Sequence, residues 1–142
     1  MLSFLLLSLR KTKNNIMNIP SEYLPVMPYL ILDKAADFLA YAKKVFNAHE
    51  QMIVPGEGER YIMHGELRIG EGVIMFAQSN ENWKQKSAGM FLFIEDVDRV
   101  YNTGIEQGGI SLQKPEKKEY GYSAGFEDPF GNQWWITEAE YL

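Results

Sequence analysis

The chain has 142 residues, 46% of them apolar and 23% charged, and its formal net charge is −5. This length predicts one domain with a true hydrophobic core, and the lack of cysteine excludes disulfides, thiolate metal sites and a cysteine nucleophile. A cytoplasmic location is therefore expected, and the acidic balance argues against nucleic acid as a partner, because phosphate binding depends on clustered Lys and Arg.

The first nine residues are apolar, and Arg10, Lys11 and Lys13 follow them. A secretory signal has the opposite order, and a helix needs about 20 apolar residues to cross a bilayer. No membrane partner is therefore expected, although a short anchor on a membrane surface stays open as an alternative. We expect Met17 to be the physiological start, with residues 1–16 an upstream extension or a disordered segment.

The next part of the chain reads as one strand, one helix and three strands. A short apolar run over residues 30–32 precedes Asp33, which stands where a helix N-cap belongs. Apolar residues at three- and four-residue spacing predict a helix over about 34–46. Three strand-like runs joined by glycine-containing turns follow, and such turns favour antiparallel neighbours. These runs cover residues 49–54, 61–69 and 72–78.

The second half repeats this order. A strand over residues 89–95 leads to Asp96, a second predicted N-cap, and to a helix from Val97 that ends at Gly108 and Gly109. The mixed-charge stretch 114–119 is expected to be a solvated loop. The three further strands are predicted over residues 110–113, 120–127 and 132–137.

An internal repeat of this kind predicts an α+β domain built from two βαβββ modules. The modules cover about residues 25–79 and 88–140, within a single domain over 17–142. We expect curved mixed sheets around a cavity, with helices on the outer faces.

The run GFEDPFGNQWWITE, residues 125–138, resembles the closing turn and last strand of the vicinal oxygen chelate superfamily, which includes glyoxalase I, bleomycin-resistance proteins and extradiol dioxygenases. Residues 63–76 and the MPYL opening are most similar to its PhnB-like subgroup. The resemblance covers about residues 25–140 and implies a homodimer. Because one fold hosts many activities, it does not by itself give the chemistry.

Enzymes of that superfamily hold a divalent metal with four side chains, which the resemblance places near Pro28, Met75, Met90 and Trp135. Hard and borderline cations need carboxylate or imidazole ligands, and a thioether is a poor substitute. The usual metal site is therefore expected to be absent, and no other cofactor is implied.

Side chains two apart in a strand share a face, and the resemblance places one such face on the concave side of each sheet. The predicted lining is apolar and rich in thioethers, which suits a planar or hydrophobic small molecule. The alternative is that these residues only fill the core between the sheets. The predicted lining residues are Pro28, Val73, Met75, Met90, Leu92, Gln133 and Trp135.

His64 and Glu66 are the weaker catalytic candidates. Two residues apart in a strand, they point the same way and would form a general base with its orienting group, or two ligands of a displaced metal site. The ordinary alternative is a solvated polar face on which Glu66 pairs with Arg68. Two functions therefore stay open: a metal-independent binder that sequesters a hydrophobic or aromatic compound, and a divalent-metal-dependent lyase, isomerase or dioxygenase with a non-standard site.

Overall fold

The computed structural model describes residues 17–58 and 60–139. The predicted α+β class with two βαβββ modules is confirmed. Residues 1–16 lie outside the described residues, so their interpretation as an extension stays a prediction. The first module contains β1 (Tyr29–Leu32), α1 (Ala35–Phe46), β2 (His49–Pro55), β3 (Ile62–Ile69) and β4 (Gly72–Gln78). The second contains β5 (Gly89–Phe93), α2 (Val97–Glu106), β6 (Ile110–Lys118), β7 (Gly121–Glu127) and β8 (Gln133–Glu138).

Each module forms a four-stranded mixed sheet with the same strand order. The first sheet runs β1-β4-β3-β2 and the second runs β5-β8-β7-β6. In both, the strand before the helix is parallel to the last strand, and the other neighbours are antiparallel. No helix within the described ranges is long and apolar enough to span a membrane.

The two predicted N-caps have different outcomes. Asp96 caps α2, because its carboxylate accepts a hydrogen bond from the amide of Arg99 at 3.1 Å. The prediction for Asp33 is wrong: Lys34 occupies the N-cap position of α1 without a side-chain cap. The physical reason is a competing partner, since the Asp33 carboxylate accepts a hydrogen bond from the Ser79 hydroxyl at the end of the first sheet.

The solvated loop expected over residues 114–119 is also a wrong prediction, because β6 continues to Lys118. Lys117 is paired with Tyr122 of β7, and register shifts flank Gln113. Charged residues give no apolar alternation, but β6 is an edge strand that pairs through its backbone. An edge strand also tolerates Pro115, which has no amide proton to donate.

One hydrophobic core joins the two modules. Phe38 of α1 packs edge-on against Phe76 of the first sheet, and Phe46 of α1 contacts the Trp134 ring of the second sheet at 4.2 Å between centroids. The buried hydroxyl of Tyr41 donates to the backbone oxygen of Gly104 in α2 at 2.8 Å, which ties the two helices together. Burial raises the pKa of Tyr41, so this donor stays protonated.

The expected placement of the helices on the outer faces is wrong, because both helices pack into this shared core between the two sheets. The opposite face of each sheet is therefore turned away from the other sheet of the same chain. We call this side the open face of each sheet. Tyr29 lies on the open face of the first sheet and is 51% exposed. Phe91 and Phe93 lie on the open face of the second sheet, 55% and 66% exposed.

Candidate functional site

The register of β5 corrects the predicted lining of the second sheet. Phe91 is paired with Trp135, and Met90 is paired with Trp134. Met90 and Leu92 therefore lie on the helix-bearing face, where they pack against the core. The prediction that they share a face with Trp135 is wrong by one residue, because the run GMFLFIE is apolar on both faces and gives no alternation.

A similar shift applies to the first strand. The carbonyl of Pro28 accepts a hydrogen bond from the Met75 amide at 3.0 Å, but Tyr29 is the residue in register with Met75. Tyr29 rather than Pro28 thus shares the open face with Met75. Val73, two residues before Met75, is buried, and Gln133 of the second sheet is exposed.

A cleft of about 1000 Å³ lies between the two modules. Pro28, Val73, Met90 and Leu92 line it, whereas Met75, Gln133 and Trp135 do not. Its walls are mainly apolar, and its charged groups are exposed side chains at the rim rather than buried groups that converge on a ligand. These rim residues are Glu71, Glu95, Asp96 and Arg99.

A polar network on the open face of the first sheet is the better candidate site. The Glu66 side chain is only 3% exposed and accepts three hydrogen bonds, from the Tyr23 hydroxyl at 2.9 Å, Gln51 Nε2 at 3.1 Å and His64 Nε2 at 2.8 Å. On its other side, His64 Nδ1 lies 3.1 Å from the Tyr29 hydroxyl. Five side chains thus form one network, in which His64 connects the buried carboxylate of Glu66 to the exposed phenol of Tyr29.

The solvated charge pair between Glu66 and Arg68 is not formed. The Arg68 guanidinium donates instead to Gln51 Oε1 at 2.8 Å and to the carbonyl oxygen of Glu22 at 3.2 Å. The segment that carries Glu22 and Tyr23 crosses this end of the sheet and shields the carboxylate. Tyr23 and Gln51 were missed in the sequence, because neither follows a motif and only the fold brings them to Glu66.

Hydrogen bonds from its neighbours favour the ionised form of Glu66. Burial alone would raise its pKa, but hydrogen bonds from His64, Gln51 and Tyr23 together hold the pKa below its ordinary value. The hydrogen bond that Tyr23 donates to Glu66 is the main cause that raises the pKa of Tyr23, and burial raises it further. At neutral pH the network therefore contains an ionised carboxylate and a protonated Tyr23 phenol.

This lowered pKa makes a prediction about acid stability. A carboxyl with a lower pKa in the folded state adds stability above its unfolded pKa of about 4.3, and this contribution is lost as the pH falls through the folded pKa. We expect the free energy of unfolding of Glu66→Gln to change less between pH 5 and pH 3 than that of the wild type. Urea titrations at several pH values measure this, and parallel pH profiles would contradict it.

The four residues that the resemblance places at the superfamily's metal positions do not fit a divalent metal. Pro28, Met75, Met90 and Trp135 offer two thioethers and no carboxylate or imidazole, and the residues in register with Met75 and Trp135 are Tyr29 and Phe91, which add none. Among residues 17–58 and 60–139 no three His, Cys, Asp or Glu side chains are grouped so that they could hold a metal ion. His64 and Glu66 are bonded to each other, so neither offers a free ligand atom without breaking the network.

Comparisons with known proteins give one group of sequence relatives and many structures of the same fold. No family model matches the chain. It is 28% identical over 122 residues to the uncharacterized protein Mb0911c of Mycobacterium bovis, which covers 75% of this chain and 78% of that protein.

Two solved structures show the same architecture. The PhnB protein from Bacillus cereus, a putative 3-demethylubiquinone-9 3-methyltransferase, is 17% identical with a TM-score of 0.67, and the match covers 82% of this chain and 100% of that one. A glyoxalase/bleomycin resistance protein/dioxygenase family enzyme from Burkholderia phytofirmans is 20% identical with a TM-score of 0.59, covering 81% and 96%. The chain thus has the vicinal oxygen chelate fold expected from its closing motif.

Proposed function

We propose that the chain is a small-molecule-binding protein whose hydrophobic or aromatic ligand lies on the open face of the first sheet. In this proposal binding does not use a divalent metal. The observation that carries it is the buried polar network beneath a partly exposed apolar surface. Ligand sites commonly combine apolar walls with a few fixed polar groups, and here Tyr29 and His64 are those groups.

The second sheet supplies the other wall of the site, from a second copy of the chain. Phe91 and Phe93 pack edge-on at 5.3 Å between centroids, and Tyr120 lies 6.4 Å from Phe91. Trp135 is in register with Phe91, and its indole lies over Gly125, where a Cβ would come within 2.4 Å of the ring. A monomer rarely leaves such an aromatic patch in water.

A two-fold homodimer covers both open faces at once. If the first sheet of each copy faces the second sheet of its partner, two equivalent sites form, and each apolar face is removed from water. Isologous pairing of this kind is the commonest oligomer geometry. The resulting cavity has one polar wall, from the first sheet of one copy, and one aromatic wall, from the second sheet of its partner.

The second candidate is a divalent-metal-dependent lyase, isomerase or dioxygenase. Its support is the pairing of His64 with Glu66, which is also the arrangement of a base and its orienting group. The donor set argues against the metal, because two ligands that bond each other fall short of the three or more that catalytic sites use.

A stabilisation screen separates the two candidates. We expect an aromatic compound at about 100 times its dissociation constant to raise the free energy of unfolding by about 2.7 kcal/mol. Trp135→Ala should abolish this gain, whereas Trp83→Ala, which changes a 66% exposed indole in the segment between the modules, should keep it. Stabilisation by a divalent ion and by no aromatic compound would favour the enzyme.

A further inference from the structure

The direction of each hydrogen bond in the network follows from the carboxylate. An ionised carboxylate only accepts, so Tyr23, Gln51 and His64 must each donate to Glu66. His64 therefore carries a proton on Nε2. In a neutral imidazole the other ring nitrogen, Nδ1, is then an acceptor.

This tautomer fixes the role of the exposed phenol. With a neutral His64, the Tyr29 hydroxyl, whose oxygen lies 3.1 Å from Nδ1, donates its proton to the imidazole. The lone pairs of the Tyr29 oxygen are the part of the hydroxyl left for a ligand. Because the three groups are hydrogen bonded in series, each bond polarises the next, and the Tyr29 oxygen becomes a stronger acceptor.

We propose that the ligand is a phenol, or an aromatic compound with a comparably acidic hydroxyl, that donates its hydroxyl proton to the Tyr29 oxygen. This inference rests on the proposed function, since it names the ligand class of the same site. An aromatic ring matches the apolar walls, and the hydroxyl supplies the donor that Tyr29 requires.

Charge on the same face selects against the other common donor, a protonated amine. Arg68 lies in the same row of β3 as His64 and Glu66 and is partly exposed. The single carboxylate of the network is buried and already accepts three hydrogen bonds, so it offers an ammonium group no free partner. A neutral hydroxyl is not repelled by the guanidinium.

The test compares two naphthalenes that differ in one proton. Calorimetric titrations at pH 7.5 with 2-naphthol and 2-methoxynaphthalene should show at least about a fivefold preference for 2-naphthol, the size of one net hydrogen bond. Tyr29→Phe should bring the two affinities together, because the phenyl ring that remains still separates the ligand from Nδ1. Tyr122→Phe, which removes a phenol that donates to Asp98 at 2.7 Å and packs against the core rather than on an open face, should keep the preference.

Three results would overturn the inference. Equal affinity of the wild type for both naphthalenes would do so while leaving the proposed function standing, and so would tighter binding of 2-(aminomethyl)naphthalene than of 2-naphthol. Binding of none of these compounds would remove the proposed function as well.

A second measurement needs no ligand. Nitrogen-15 NMR of the wild-type protein at pH 7.5 should show His64 protonated on Nε2 and unprotonated on Nδ1. Glu66→Gln, whose amide both donates and accepts, should populate both tautomers. A proton on Nδ1 in the wild type would overturn the assigned direction of the hydrogen bonds.

Discussion

Replacing Asp128 with alanine is expected to lower the free energy of unfolding by about 3 to 5 kcal/mol, the largest loss we predict for a single side chain. The Asp128 side chain is 3% exposed and lies in the turn between β7 and β8. It accepts four hydrogen bonds, three of them buried, and removal of the carboxylate would leave the donors of those three bonds without a partner.

The four bonds organise the whole closing turn. Asp128 Oδ1 accepts from the amides of Phe130 and Asn132 at 2.8 and 2.9 Å. Its Oδ2 accepts from Asn132 Nδ2 at 2.9 Å and from Trp134 Nε1 at 2.8 Å. Asn132 in turn accepts from the Ala88 amide at 3.1 Å, just before β5. The turn thus links β5, β8 and the largest fully buried side chain of the core, Trp134.

Urea denaturation of the variants measures this effect. Asp98→Ala is the matched control, because this exposed carboxylate accepts a bond from the Tyr122 hydroxyl at 2.7 Å outside the core. Its expected cost is less than about 1 kcal/mol. If Asp128→Ala lowers the free energy of unfolding by no more than Asp98→Ala does, the hydrogen bonds of the closing turn do not stabilise the fold as predicted.

The second large effect concerns assembly. Phe93→Glu should weaken the homodimer by at least about 100-fold, because the interface would have to bury an unpaired carboxylate. The side chain is 66% exposed in the monomer, so the fold itself should be kept. Sedimentation velocity over a range of protein concentrations should then show a monomer, and the aromatic ligand should no longer stabilise it.

The control for this prediction is Met63→Glu. Met63 is 56% exposed and lies at the start of β3, on the side of the strand shared with the core-facing Leu67 rather than with Glu66. The same charge there should leave the dimer intact. A monomeric wild type, or equal weakening by both variants, would contradict pairing through the open faces.

The order of the elements along the chain and the fold class are predictable because their signals are local. Glycine turns, helical spacing and the Asp96 cap all act within a few residues, and the repeat doubles each signal. The errors arise where the partner is distant. Asp33 looks like a cap until Ser79 binds it, and residues 114–118 form a strand only because β7 offers a backbone to pair with.

The site shows the same division between local and distant signals. The period of two places His64 and Glu66 on one face, and that was read directly from the sequence. Nothing in the sequence says that Tyr23 lies over this face, and so Glu66 was expected to be solvated. The all-apolar run of β5 hides its register, so the sequence indicates Met90 where the structure has Phe91 on the open face.

The most direct test of the composite site is complementation between two damaged chains. Tyr29→Ala damages the polar wall on the first sheet, and Trp135→Ala damages the aromatic wall on the second sheet. Neither homodimer should therefore bind the aromatic ligand found in the stabilisation screen. After the two are unfolded together and refolded in equal amounts, about half of the dimers should be mixed, each with one intact site, which restores about a quarter of the wild-type sites. Calorimetric stoichiometry measures this fraction. Recovery near a quarter is the predicted result, whereas no recovery on mixing, or full binding by either variant alone, would contradict a site shared between two chains.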